Sequence, residues 1–185
     1  MNRKGFSILE LLLVMGIVSA LIIAAFIIFP KVDASVKSNR ELKNLATIKA
    51  NIDALYTGKS DYTGLSTMSL AQANVFPDDM ISKSNPTMSG SNGKLIYLPM
   101  NIWGGNVTVT MYNTVNYYQI TYYNVPVDAC IKMTQAAVQM FPTVGPYSGN
   151  AFNGSYVKDN IFTLCTDNNY KIYNGIMTFS TWGNW

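Results

Sequence analysis

"NRKGFSILELLLVMGIVSALIIAAFIIFP", residues 2–30, is an apolar run with a basic pair before it, a proline at its end and a single carboxylate, Glu10, near its start. The stretch from Leu11 to Phe29 holds no charge, and as a helix it covers about 29 Å, close to the hydrocarbon thickness of a bilayer. A secretory signal peptide would explain Arg3, Lys4 and the small residues Val18-Ser19-Ala20. Its apolar stretch is ordinarily about 7–15 residues, however, and this one continues well past Ala20. An uncleaved anchor, oriented by Arg3 and Lys4, accommodates the length. Neither reading accounts for Glu10, because a carboxylate facing lipid costs on the order of 2–4 kcal/mol and ordinarily has a partner. A cut between Gly5 and Phe6 would supply one: a new α-ammonium, which a second copy of the helix, displaced along its axis, would set against Glu10.

The residues Lys4-Gly5-Phe6-Ser7-Ile8-Leu9-Glu10-Leu11 resemble the type III signal of type IV prepilins and related pseudopilins, whose usual pattern is close to Gly-Phe-Thr-Leu-Ile-Glu-Leu. The resemblance implies that prepilin peptidase cuts after Gly5, that Phe6 becomes the N-methylated first residue, and that Phe6 and Glu10 pair between neighbouring subunits during assembly. Methylation leaves the amine charged, so the electrostatic role survives it. In a low-dielectric fibre core such a pair attracts strongly at about 4 Å, yet desolvation offsets most of the gain. The pair therefore acts as a register device: Glu10 is penalised in the bilayer until a subunit docks in the right stagger.

Beyond Pro30, which is expected to break or kink the helix, Leu42, Leu45, Ile48, Ile52 and Leu55 recur three or four residues apart with Lys43, Asn44, Lys49, Asn51 and Asp53 between them. That pattern predicts an amphipathic helix whose apolar stripe needs a sheet to lie on, ending near Gly58. A short helix is expected between Ser66 and Asn74, and a loop at 85–94 from "NPTMSGSNGK". Strands are expected at Leu95 to Leu98, Asn106 to Tyr112 and Tyr117 to Val125, the last two forming a hairpin. A helix follows at Asp128 to Phe141, then strands around Ile161 to Leu164 and Lys171 to Phe179. The expected fold is α+β: a long N-terminal helical spine packed on an antiparallel sheet, with a disulfide-closed C-terminal region. The expected organisation is a leader at 1–5, a transmembrane and filament-core half-helix at 6–30, an amphipathic half at 31–57 and a globular head at 58–185.

The texture of "NLATIKANIDALYTGKSDYTGL" followed by "ITYYNVPVDACIKM" is similar to the type IVb pilins, including the toxin-coregulated type and the thin pili of conjugative plasmids. Two features depart from the family patterns. The proline of the commoner type IVa pilins falls three residues nearer the N-terminus than Pro30, and type IVb members usually carry longer leaders and a first residue other than Phe.

Composition narrows the chemistry. The 185 residues carry 13 Lys and Arg against 10 Asp and Glu and no histidine, which removes His-based triads, imidazole bases and most zinc sites. The basic residues are scattered, so nucleic-acid binding has no electrostatic footprint. No acidic cluster has the spacing of a calcium loop, and no cofactor or metal is expected. Cys130 and Cys165 match no metal spacing and would most simply pair with each other in an oxidising compartment, two buried free thiols being the alternative. A bridge would fasten the loop-rich segment Phe141 to Tyr156 onto the sheet. Alternating strand tyrosines suggest cross-strand packing more than a sugar site.

Together with the resemblance, these readings favour a major pilin: self-assembling, processed by prepilin peptidase, held in the inner membrane as precursor, handed to an inner-membrane assembly platform, and finally extracellular. A minor pilin or a secretion pseudopilin shares the N-terminal motif. A membrane-anchored extracytoplasmic enzyme or binding module finds little support without histidine or a nucleophile motif.

Overall fold

Helix α1 runs from Ile8 to Leu55 in the computed structural model, which describes residues 7–89, 95–112, 114–145, 152–166 and 175–181. The chain divides between Val36 and Lys37 into two compact units. The first holds α1 from Ile8 onward, apolar and solvent-exposed on every face through Phe29. Helix α1 contains Pro30 without ending there, so of the break or kink expected from sequence the break does not occur. Proline removes one backbone bond and crowds the carbonyl four residues back, at a cost of about 3 kcal/mol. A true break would strand several carbonyls on one side and several N–H groups on the other, in a segment too apolar to satisfy them. Continuing the helix is the smaller loss.

In the second unit, α1 buries Ser38, Glu41, Asn44, Leu45, Ile48 and Ile52. Leu45, Ile48 and Ile52 are the expected stripe, but Leu55 is exposed, Leu42 is only partly buried and the upper part of the buried face is polar. Helix α2, Thr67–Gln72, starts on Ser66, whose hydroxyl accepts from Ser69 N–H while the Ser69 hydroxyl accepts from Ser66 N–H. A 3-10 turn at Asp78–Met80 leads into strand β1, Ile81–Ser89, paired antiparallel with β2, Leu95–Pro99. Residues 85–89, expected as loop, are therefore strand; the ladder absorbs Pro86 by shifting register on either side of it.

The main sheet is antiparallel, in the order β3 (Val107–Tyr112), β4 (Thr114–Tyr122), β7 (Met177–Ser180), β5 (Thr143–Gly145), β6 (Phe152–Asn153). The last strand in sequence thus lies at the centre. Val109 faces Ile120 and Ile120 faces Phe179, so alternate side chains of three strands bury Val107, Val109, Tyr118, Ile120, Tyr122, Met177 and Phe179 in one core with Leu45, Ile48 and Ile52. Edge strand β3 is capped at its middle: the Thr67 hydroxyl accepts from Val109 N–H at 2.8 Å and donates to the Val109 carbonyl at 3.1 Å, occupying groups that would otherwise invite another strand.

Helix α3 spans Val127–Ala137 and α4 spans Gly154–Thr166. The second overturns the strand expected at Ile161 to Leu164. A short apolar run is ambiguous between strand and helix; here helical spacing turns Cys165 inward and leaves Phe162 exposed. The C-terminal strand occupies Met177–Ser180, and the expected portion at 171–174 lies outside the described residues.

Candidate assembly site

The first turn of α1 is built on Ser7, whose carbonyl accepts the N–H of Glu10 at 3.0 Å and of Leu11 at 3.1 Å. Glu10 follows in that first turn and is exposed, where the helix dipole favours a negative charge by roughly 0.3–1 kcal/mol. Ser7-Ile-Leu-Glu10 also has the spacing of a capping box, in which Glu and Gln serve equally. This spacing, S-x-x-E before an apolar run, is also readable from sequence. Gly5 and Phe6, the expected cleavage and methylation positions, lie outside the described residues.

From Leu11 to Phe29, polar demand is met within the helix. Ser19 donates to the Met15 carbonyl at 2.7 Å, a back-bond that satisfies a hydroxyl in lipid. Among the described residues α1 is the helix long and apolar enough to cross a membrane, and none of its most apolar stretch is buried within the chain. Side chains such as Ile8, Phe26 and Phe29 are more than 70% exposed. A helix apolar on all sides requires lipid or other helices around it.

In the second unit the end of α1 is tied to the sheet. Asp53 accepts from the Tyr118 hydroxyl at 3.2 Å and pairs with Lys49 at 2.7 Å. Burial, then the Asp53 charge, holds the Tyr118 hydroxyl far above the usual phenol range. Tyr118 meets Tyr62 edge-on with ring centres 4.9 Å apart, and Tyr62 packs on Tyr56 at 5.1 Å. Tyr118, one of the alternating strand tyrosines, is thus engaged in packing, and Tyr56 and Tyr62 join it from outside the strands.

Cys130 and Cys165 form a disulfide with Cα atoms 5.9 Å apart. It joins α3 to α4, instead of fastening a loop directly to the sheet. Strands β5 and β6 lie between the two helices in sequence, so the bridge closes that C-terminal segment into one loop. Among the described residues no group of three or more His, Cys, Asp or Glu side chains is placed to hold a metal ion.

Comparison with known proteins bears on this arrangement. A family model described as PilS N terminal matches residues 35–178, the part of the chain that excludes Glu10. Among solved structures, a type IV b pilin from Salmonella typhi aligns over 80% of this chain and 99% of its own, with 24% identity and a TM-score of 0.51. TcpA, a type IV pilin from Vibrio cholerae El Tor biotype, aligns over 78% and 98%, with 10% identity and a TM-score of 0.45. No curated protein matches the sequence.

Proposed function

The chain belongs to the PilS family of type IV pilins, and from that premise we propose that it is the repeating, major subunit of a type IV pilus, an extracellular filament for surface attachment, aggregation or cell-cell contact. The observation that carries this reading is Glu10: one carboxylate at the start of a helix that is otherwise exposed and apolar through Phe29.

In the proposed sequence of events the precursor waits in the inner membrane with α1 as its anchor. Prepilin peptidase cuts between Gly5 and Phe6, and the amine of Phe6 is methylated without losing its charge. An inner-membrane platform, driven by a separate motor, then lifts the subunit so that α1 exchanges lipid for the helices of its neighbours. Burial of Glu10 there is costly unless an opposite charge stands a few ångströms away, and the cost of leaving it unpaired is several kcal/mol. The Phe6 amine of the adjacent subunit meets that requirement only at one axial stagger, so the pair selects register more than it adds affinity. The protein acts as a structural subunit and not as an enzyme.

Glu10→Gln separates this role from the local one. Glutamine keeps the size and the capping capacity of Glu10 but removes the charge. The variant is expected to be processed normally and to give few filaments when expressed alone, with partial recovery beside wild-type subunits. Wild-type piliation by Glu10→Gln alone would show that Glu10 is needed only to start the helix.

A further inference from the structure

Glu41 is one of only two glutamates in the sequence, and it is 2% exposed. One carboxyl oxygen, Oε1, accepts the Ile102 N–H at 2.8 Å; the other, Oε2, is buried without a hydrogen-bond partner. The fully buried Tyr122 hydroxyl on β4 also lacks one. A buried carboxylate with half of its acceptor capacity unused is an expensive way to hold a loop.

The loop it holds is otherwise bonded within itself and to Tyr123, just past β4. Asn101 accepts the N–H groups of Trp103 and Gly105, each at 3.0 Å, and donates through its side-chain amide to the Tyr123 carbonyl at 2.6 Å. The bond from Ile102 to Glu41 is what ties this loop to α1.

We propose that Glu41 is a proton-operated latch: as a neutral acid it lets the buried polar face of α1 close on the 101–105 loop without burying a charge, whereas its ionisation, although it strengthens the bond from Ile102, leaves an incompletely paired charge in the core and loosens that contact. The charges around it favour this division. Arg40, on the same helix, would stabilise the carboxylate, but its guanidinium is engaged with Asp79 at 2.7 Å and half exposed. Asn44 likewise donates to Asp79 at 3.3 Å while also helping Glu41. Asp79, from the 3-10 turn, adds a like charge, and Tyr122, from β4, contributes a neutral phenol whose own ionisation is opposed first by burial and then by the Glu41 charge. Burial is the largest influence on Glu41 and raises its pKa above the ordinary value of 4.5, the Ile102 N–H and Asn44 opposing it only in part. The folded chain therefore keeps this proton to higher pH than the unfolded chain does. The stabilisation is complete below the ordinary glutamate value and is lost as pH rises through the raised one.

The test is thermal unfolding of the full chain in detergent micelles from pH 4 to pH 8, wild type against Glu41→Gln, followed by tryptophan fluorescence. Glutamine retains the acceptor for Ile102 and cannot ionise. The two melting temperatures should coincide near pH 4 and diverge as pH rises, the variant becoming the more heat-resistant by a few degrees. A difference that is the same at every pH overturns the latch. Should the variant not fold, carboxyl-¹³C glutamate in the wild-type chain reports the same group: only two signals appear, and Glu10→Gln assigns them. A Glu41 midpoint above that of an ordinary glutamate supports the proposal, and one at or below it overturns it.

Discussion

Replacing Cys130 and Cys165 together with alanine should lower the melting temperature of the head by about 8–20 °C. The two residues are 35 apart in sequence, and for a loop of that length the chain-entropy model assigns the bridge about 3.8 kcal/mol at 25 °C. Both sulfurs lie in the core with no exposed surface, so alanine also leaves small voids, adding up to about 1 kcal/mol. For a chain of this size each kcal/mol moves the midpoint by about 2–4 °C. Calorimetry of the full chain in detergent, without reductant, measures the shift directly. The single variant Cys130→Ala should lose nearly as much as the double, since either opens the loop. A double variant melting within about 3 °C of wild type would refute the reasoning, because it would mean that the packing of α3 on α4 restrains the unfolded-prone segment without the covalent link. Mild reductant should act slowly on the native protein, both sulfurs being inaccessible.

Two further predictions concern the backbone and the acid limb. A Cβ at Gly105 would overlap the Tyr123 carbonyl, whereas one at Gly58 meets open space and only a left-handed backbone with φ +81°. Gly105→Ala should therefore cost about 2–4 kcal/mol or prevent folding, against about 1 kcal/mol for Gly58→Ala, as read from urea unfolding. At Asp79 burial pushes the carboxyl upward, but hydrogen bonds from Arg40 and Asn44 and the guanidinium charge outweigh it, leaving its pKa lowered. A lowered carboxylate contributes stability that is present above its unfolded value and lost as pH falls through the folded one. Asp79→Asn should flatten the stability profile below about pH 4 and, by removing a like charge, shift the Glu41 midpoint downward, both visible in the same pH series.

The sequence made the spine and the central hairpin readable because their periodicities are long and unambiguous. Leu45, Ile48 and Ile52 mark one face of a helix, and Val107, Val109, Ile120 and Tyr122 mark one face of two strands. It hid the features in which local chemistry competes with packing. The Ile161 to Cys165 run is too short for its period to decide between strand and helix, and the disulfide partner on α3 is what makes the helical reading pack. Asn85 and Pro86 look like the start of a loop, yet register shifts on either side let Pro86 stand opposite Tyr97 in the ladder, while residues 90–94 of that expected loop lie outside the described residues. Pro30 leaves a break and a kink both open in sequence, and the break is avoided because an apolar segment has no better way to satisfy its backbone than to stay helical. The burial of Glu41 is not foreshadowed by its residue type, because glutamate is rarely buried; the signal that points inward is its spacing of four from Leu45 and three from Ser38. At the N-terminus the situation is reversed. Glu10 is conspicuous in sequence, whereas the isolated subunit shows only an exposed carboxylate, because the partner proposed for it belongs to another copy.

The central claim is processing at Gly5 followed by assembly, and the intact mass with N-terminal fragmentation of the protein in sheared cell-surface material tests it most directly. The account predicts an abundant chain beginning at methylated Phe6 and lighter by two hydrogens than its reduced form. A chain beginning near Leu21, or one that retains Met1 and never reaches the surface, would contradict it.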